Sequence, residues 1–485
     1  MLYGHFIEHF HRQIYGGIYD PGNPLSDKDG LRLDVIEAMR RIKIPVLRWP
    51  GGCYVSAAHW KDGVGTKRTA HFDKAWRVEE PNTFGTDEYI KFCRKVGCEP
   101  YICTNAGTGT AEEMSDWVEY CNLKTWGQWA KQRIQNGNAA PYNVKYWSIG
   151  NENYLDGEIG AKSAAEWGRL VTESAKMMKR VDPSIELSAA ALADLDWNIN
   201  LLKNCGDKLS WISLHGYWDG IWQTNDYGNY GACMVYTNTI DAQVKKVRGT
   251  LAALGLDHIR IAFDEWNLRG WHHPNVDKGL GPDDYLAPRD LNDENRRYTM
   301  ADAVFTACFL NMLNRNCDII GMANYAPVVN TRGCIFTHPE GIVLRSTFHV
   351  FEMYSTALGE TVLDTFGEEV PLFSTQDKQG GNAETPALDL VTTLNKSGEV
   401  VIGAVNKDPG KTHTLRIDWR GSSLDAAPVG YSIHTLSGKS TESYNDIGHD
   451  QAIPEKPVES AYKAGDLISL APHSVNLIRF INQKY

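Results

Sequence analysis

Two glutamates close short, mostly apolar runs in this chain: Glu152 in Tyr146-Trp147-Ser148-Ile149-Gly150-Asn151-Glu152-Asn153, and Glu265 in Ile259-Arg260-Ile261-Ala262-Phe263-Asp264-Glu265-Trp266-Asn267. Runs of this kind form buried strands, so each acid is expected where a strand stops and a loop begins. A pair of carboxyls so placed suits glycoside hydrolysis, in which one protonates the leaving oxygen and the other attacks or shields the sugar carbon. Taken singly, each could equally be a hydrogen-bonded structural carboxylate. A general acid must stay protonated near neutral pH, and Trp147 together with the charge of Glu265 is the expected source of the raised pKa. Asn151 is placed to bond a sugar 2-hydroxyl. Asp264 adjoins Glu265, and strand alternation predicts that only one of them faces inward. The sequence register leaves open which.

Elements able to position such groups recur along the chain. Strand-like runs at 2–7, 44–49, 99–104, 144–149, 185–190, 211–214, 258–263 and 318–323 alternate with amphipathic stretches such as 31–42, 87–96, 164–181, 242–254 and 295–314. Eight such units predict a (β/α)₈ TIM barrel, whose chemistry sits at the carboxyl ends of its strands. Glu152 then follows the fourth strand and Glu265 the seventh. Polar groups follow other strands too: Glu8, the Arg48-to-Cys53 segment, Asn105, His215-Gly216-Tyr217 and Asn324-Tyr325. His215 and Tyr217, two apart, should point the same way, with Tyr217 able to orient a nucleophile. Glu8 and Arg48 either grip sugar hydroxyls or pair with each other. Cys53 has a plain alternative as a small buried hydrophobe.

Beyond about residue 355 short alternating runs (388–395, 400–405, 412–419, 475–481) are separated by Gly, Asp, Asn and Pro, which predicts a C-terminal antiparallel β-sandwich. The expected organisation is a catalytic barrel over 1–355 and a sandwich domain over 356–485, with a mobile loop at 376–384. At 485 residues, 42% hydrophobic and 22% charged, the chain has the material for both. Its net charge of −11 argues against a nucleic-acid partner. No run approaches the roughly 20 apolar residues of a membrane helix. The first residues lack a signal peptide's basic and apolar regions. The ten cysteines are scattered, so free thiols in a cytoplasmic setting are expected. His5, His9 and His11 lack the spacing of a zinc set, so no metal is expected there. No Gly-x-Ser-x-Gly elbow is present.

Five segments in order carry a resemblance: Tyr3-Gly4-His5-Phe6-Ile7-Glu8-His9, Leu47-Arg48-Trp49-Pro50-Gly51-Gly52-Cys53-Tyr54, Glu80-Pro81-Asn82-Thr83-Phe84-Gly85-Thr86, Gly150-Asn151-Glu152-Asn153 and Asp264-Glu265-Trp266-Asn267. On these the chain resembles the α-L-arabinofuranosidases of glycoside hydrolase family 51 over nearly its whole length. The resemblance implies Glu152 as acid/base and Glu265 as nucleophile. It implies Glu8, Arg48, Cys53, Asn151 and Tyr217 around the arabinose, with His215, Trp76 and Trp271 as wall positions. It further implies an exo-acting retaining enzyme on arabinose-containing oligo- and polysaccharides, no cofactor, and a trimer or hexamer. An endo-glucanase or xylanase, a β-D-galactofuranosidase, or a non-catalytic carbohydrate-binding protein on the same scaffold are the alternatives. The pattern breaks at Arg345-Ser346, where family members usually carry Gln after the Arg. It also breaks at the start, where relatives carry an extension whose strand joins the sandwich.

Overall fold

The computed structural model describes residues 1–221, 226–270, 293–420 and 428–481. Its centre is eight parallel strands: β1 (Gly4–Phe6), β2 (Val46–Trp49), β3 (Glu99–Thr104), β4 (Tyr146–Ile149), β5 (Glu186–Ala189), β6 (Trp211–Asp219), β7 (Arg260–Arg269) and β8 (Ile320–Tyr325). They pair in the order β5-β4-β3-β2-β1-β8-β7-β6. A parallel bridge between Ala190 and Ser213 joins the two ends, completing the expected barrel.

The helices between them follow their sequence signals. In α1 (Ala164–Val181), Ser163 accepts from the Glu166 amide while Glu166 reaches back to the Ser163 amide, a capping box worth about 1 kcal/mol. Its buried Trp167, Val171, Ser174, Ala175 and Met178 form one stripe against the barrel. Helix α2 (Met300–Arg315) is different, buried on every side up to Asn314. It lies between the barrel and the C-terminal sheet, where Asn311 and Arg315 both donate to Asp389.

Strands β6 and β7 run well past the apolar stretches that suggested them. Pairing continues through His215–Glu265, Tyr217–Asn267 and Asp219–Arg269, so these residues lie on the strands rather than after them. The pairing also slips by one residue between Ser213–Ala262 and His215–Glu265, and again on the β8 side between Ala323–Phe263 and Tyr325–Trp266. A β-bulge therefore inserts one residue into β7 at Asp264–Glu265. Phe263 and Trp266, three apart instead of two, both face outward onto Phe309 of α2, Trp266 stacking on it at 4.0 Å between ring centres. Asp264 and Glu265 then both face inward, contrary to the alternation rule. Burial of Trp266 fixes this register, and Trp266→Ala should cost about 3–5 kcal/mol.

The C-terminal part holds a six-stranded antiparallel sheet: β9 (Thr361–Leu363), β10 (Leu388–Leu394), β11 (Val400–Asn406), β12 (Gly430–Leu436), β13 (Val458–Ala461) and β14 (Ser474–Ile481), in the order β9-β10-β11-β14-β12-β13. A second ladder, His413–Arg416 with Leu467–Leu470, shares its core through Leu415, Ile468 and Leu470. Most of the expected loop at 376–384 is instead the turn of a hairpin, Leu372–Gln376 with Asn382–Pro386. Three amides of the turn and its flanks anchor on Asp377 or pair with its backbone. Among the described residues no helix is long and apolar enough to cross a membrane.

Candidate active site

The carboxyl ends of the strands converge on one cluster. Arg48 of β2, fully buried, donates from Nη1 to Glu265 Oε1 (2.5 Å) and from Nη2 to Asn151 Oδ1 (2.8 Å), and its Nε lies 3.6 Å from Asp264 Oδ2. Its partner is thus Glu265, not Glu8. Tyr217 donates to Glu265 Oε2 at 2.8 Å. Burial opposes the charge on Glu265, but the His215 imidazolium and the Arg48 guanidinium outweigh it and hold the carboxyl below the usual range. Asp264 is also held low by Arg48 and His215 against its burial. Both its oxygens are occupied, by Tyr101 (2.7 Å) and Ser213 (2.6 Å), which leaves it a buried counter-charge.

Glu152 follows β4 with a φ of 45°, a left-handed conformation uncommon outside glycine and held here by the loop around it. Its Oε1 accepts from His215 Nδ1 at 2.8 Å. His215 also lies 3.4 Å from Asp264 and 3.6 Å from Glu265. Burial disfavours its cation, yet Glu265, Asp264 and Glu152 together push its pKa up to about 10. One oxygen of Glu152 and one of Glu265 lie within 4.8 Å of each other. Trp147, expected beside Glu152, instead turns outward and packs edge-on against Trp117 in the helix layer.

Glu8 follows β1 in a tight cradle. Its Oε1 accepts from the Tyr54 amide and from Trp76 Nε1, each at 3.0 Å. Gly51 and Gly52 are packed against it: a Cβ on Gly52 would stand 2.7 Å from both carboxylate oxygens. Burial, then the negative charge of Glu265, pushes Glu8 up to about 8. Cys53 opens the short helical turn Cys53–Ser56 and comes within 4.8 Å of carboxylate oxygens of both Glu152 and Glu158. The thiol is pushed well up, by burial first and then by these carboxylates. Asn151 accepts from Arg48 at its Oδ1, while its buried Nδ2 has no partner. Trp271 lies outside the described residues.

Other polar residues at strand exits serve the scaffold. Asn105 ties together the amides of Gly107, Thr108 and Gly109, and Asn324 donates to His5 O. Ser346 is buried and donates to Thr299 O (2.8 Å), while Arg345 is held by Asp293 and Asn295. His5 bonds Tyr3 O, and His9 sits between Glu80 and Trp49. Among the described residues no potential metal-ligand cluster includes His5, His9 or His11.

Two site residues escaped the sequence reading. Glu158, on the loop after β4, is bonded to Ser56 Oγ at 2.5 Å and pushed up to about 7, by burial first and then by Glu152. Arg332, beyond β8, donates to Tyr217 Oη at 3.3 Å. Neither stands next to an apolar run, which is the signal that picked out the others.

The chain matches the Alpha-L-arabinofuranosidase 1 domain over residues 38–234 and the Alpha-L-arabinofuranosidase C-terminal domain over 264–474. An intracellular exo-α-(1→5)-L-arabinofuranosidase of Halalkalibacterium halodurans is 34% identical over 495 residues, covering 99% of this chain and 95% of that protein. The chain belongs to the α-L-arabinofuranosidases of glycoside hydrolase family 51. A second relative in the family, the α-L-arabinofuranosidase C of Emericella nidulans, is 31% identical over 497 residues, with 99% and 94% covered. Among solved structures, the α-L-arabinofuranosidase of Thermotoga maritima in its arabinose complex is similar at a TM-score of 0.84 and 33% identity, covering 99% of this chain and 96% of that one. The family 51 enzyme of Thermotoga petrophila gives 0.84 and 32%, with the same coverage.

Proposed function

We propose that this protein is an exo-acting retaining glycosidase that removes terminal α-L-arabinofuranosyl groups, with Glu265 as nucleophile and Glu152 as acid/base. The observation that carries this reading is the approach of the two carboxylates to within 4.8 Å, close to the roughly 5 Å of retaining enzymes and too close to seat a water for direct displacement. Glu265 is held ionised by Arg48, Tyr217 and His215, as an attacking group must be. Its carboxylate attacks the anomeric carbon. The glycosidic bond breaks, its electron pair stays on the leaving oxygen, and that oxygen takes the proton of Glu152. His215 occupies Oε1 of Glu152, leaving Oε2 to carry the transferred proton. Glu152, now a carboxylate, then draws a proton from the water that hydrolyses the arabinosyl ester and frees Glu265.

Glu8, Asn151, Cys53, Trp76 and Tyr217 form the wall of the arabinose subsite in this reading. The orphaned Nδ2 of Asn151 supplies a donor for the 2-hydroxyl. The name of the Halalkalibacterium relative puts α-(1→5)-linked arabino-oligosaccharides first among substrates, ahead of arabinoxylan. Ten free cysteines support a reducing, cytoplasmic setting. The catalytic unit spans 1–355 and the β-sandwich 356–485, assembled as a trimer or hexamer, which light scattering would check. Hydrolysis of 4-nitrophenyl α-L-arabinofuranoside, with release of arabinose from arabinan fragments, is the expected result. Preference for a β-D-galactofuranoside, or cleavage inside soluble xylan or glucan, would overturn the reading.

A further inference from the structure

Arg332 is not used by the mechanism above, yet the fold holds it with unusual care. It follows β8 in a turn where Asn330 and Thr331 have φ of 54° and 48°. Two successive left-handed residues other than glycine persist only where the surroundings fix them. Arg345 supplies that constraint, donating from Nη1 to the carbonyls of Thr331 (2.6 Å) and Gly333 (3.0 Å), on either side of Arg332. The carbonyl of Arg332 itself accepts from Asn267 and Tyr325.

The guanidinium, in a residue only 6% exposed, is engaged on two of its three nitrogens. Nε donates to Ala326 O (3.1 Å) and Nη2 to Tyr217 Oη (3.3 Å), with its carbon 5.0 Å from the centre of the Tyr217 ring. Nη1 is buried and has no partner. The positive charge of Arg332 also favours the ionised form of Glu8, against the burial of that carboxyl. A buried cationic donor without an acceptor is costly, so its retention asks for a partner that arrives later.

We propose that Arg332 is a substrate-contacting and specificity-determining residue, whose Nη1 donates to a hydroxyl of the terminal sugar that Glu8 flanks. The inference rests on the reading that this pocket takes an arabinofuranosyl group. A hydroxyl suits the position because it can accept from the guanidinium and donate to Glu8 at once. A site built to bond a hydroxyl discriminates against the sugar lacking it, since its own polar groups are then left bare.

The test compares wild type, Arg332→Met, Arg332→Lys, Tyr217→Phe and the double variant Tyr217→Phe/Arg332→Met. The substrates are 4-nitrophenyl α-L-arabinofuranoside and its 2-, 3- and 5-deoxy analogues. Arg332→Met should lower kcat/KM on the parent glycoside by about 10- to 100-fold, chiefly through KM. It should leave the rate on one deoxy analogue nearly unchanged, so that discrimination at that hydroxyl collapses, and the loss should persist in the Tyr217→Phe background. Equal losses on all four substrates, or no further loss once Tyr217 is Phe, would show that Arg332 only positions Tyr217 and would overturn the proposal. Should Arg332→Met fail to fold, Arg332→Lys decides by the same deoxy comparison, since it keeps the charge but loses the fork. A wild-type protein inert on the parent glycoside would overturn the proposed function and this inference together.

Discussion

Glu265 Oε2 accepts the phenolic hydrogen of Tyr217 at 2.8 Å, on the oxygen opposite the one that Arg48 holds. Each carboxylate oxygen therefore has its own donor, and the ionised form of a nearly buried acid is stabilised before substrate arrives. A charge-assisted bond of this kind contributes about 1.5–3 kcal/mol. Tyr217→Phe should reduce kcat/KM by about 10- to 100-fold. Because the lost donor favoured ionised Glu265, that carboxyl should titrate higher, and the acid limb of the pH–rate profile should move to higher pH. A profile with an unmoved acid limb contradicts this role for Tyr217.

Asp264 and Glu265 both face inward, but only Glu265 is proposed to react. Asp264→Asn should retain measurable turnover while losing stability by about 3–5 kcal/mol, because Arg48 and His215 are left short of a buried counter-charge. Glu265→Gln should have no turnover even on aryl glycosides with good leaving groups. Urea unfolding and steady-state rates on both variants settle the matter. The reverse pattern would assign the nucleophile to Asp264.

Glu8 ties stability to pH. Its carboxyl titrates near 8 in the folded chain, against 4.5 for the ordinary group. Between these values the native protein holds a proton that the unfolded chain has released, so stability falls as pH rises through that window. Glu8→Gln removes this dependence. Its stability relative to wild type should improve from about pH 4.5 to pH 8, by at most about 1.4 kcal/mol per pH unit, and then level off. Thermal melts of both proteins across that range measure the difference. A constant offset would contradict a raised Glu8.

Gly52 leaves no room for a side chain beside Glu8, since its Cβ would lie 2.7 Å from both carboxylate oxygens. Gly52→Ala should displace that carboxylate and raise KM about tenfold, equivalent to about 1.4 kcal/mol. The inhibition constant of free L-arabinose should rise in parallel. An unchanged KM would mean that Glu8 does not hold the sugar.

Much of this architecture was legible because strands and helices leave periodic traces. All eight barrel strands were found, and Glu152, Glu265, Arg48, His215 and Tyr217 meet where the strand count put them. The alternation rule failed at Asp264–Glu265, where a bulge set by the outward Phe263 and Trp266 adds a residue that no local pattern announces. Trp147 stands away from Glu152 for a related reason: an aromatic on the strand that leads to Glu152 can lie on the outer face of that strand. Glu158 and Arg332 reach the pocket from loops, where position depends on distant anchors such as Ser56 and Arg345 rather than on period. The stretch 376–384 reads as a mobile loop because it is rich in polar residues and glycine, while the hairpin strands that it joins carry few apolar ones.

The central claim is the division of labour between Glu152 and Glu265, and azide rescue tests it most directly. Glu152→Ala, assayed on 4-nitrophenyl α-L-arabinofuranoside, should still form the arabinosyl ester but release it slowly. Added azide should restore turnover and give the α-L-arabinofuranosyl azide, with configuration retained. Formation of the β-azide, or no azide product at all, would contradict Glu152 as the acid/base and with it the account of the site.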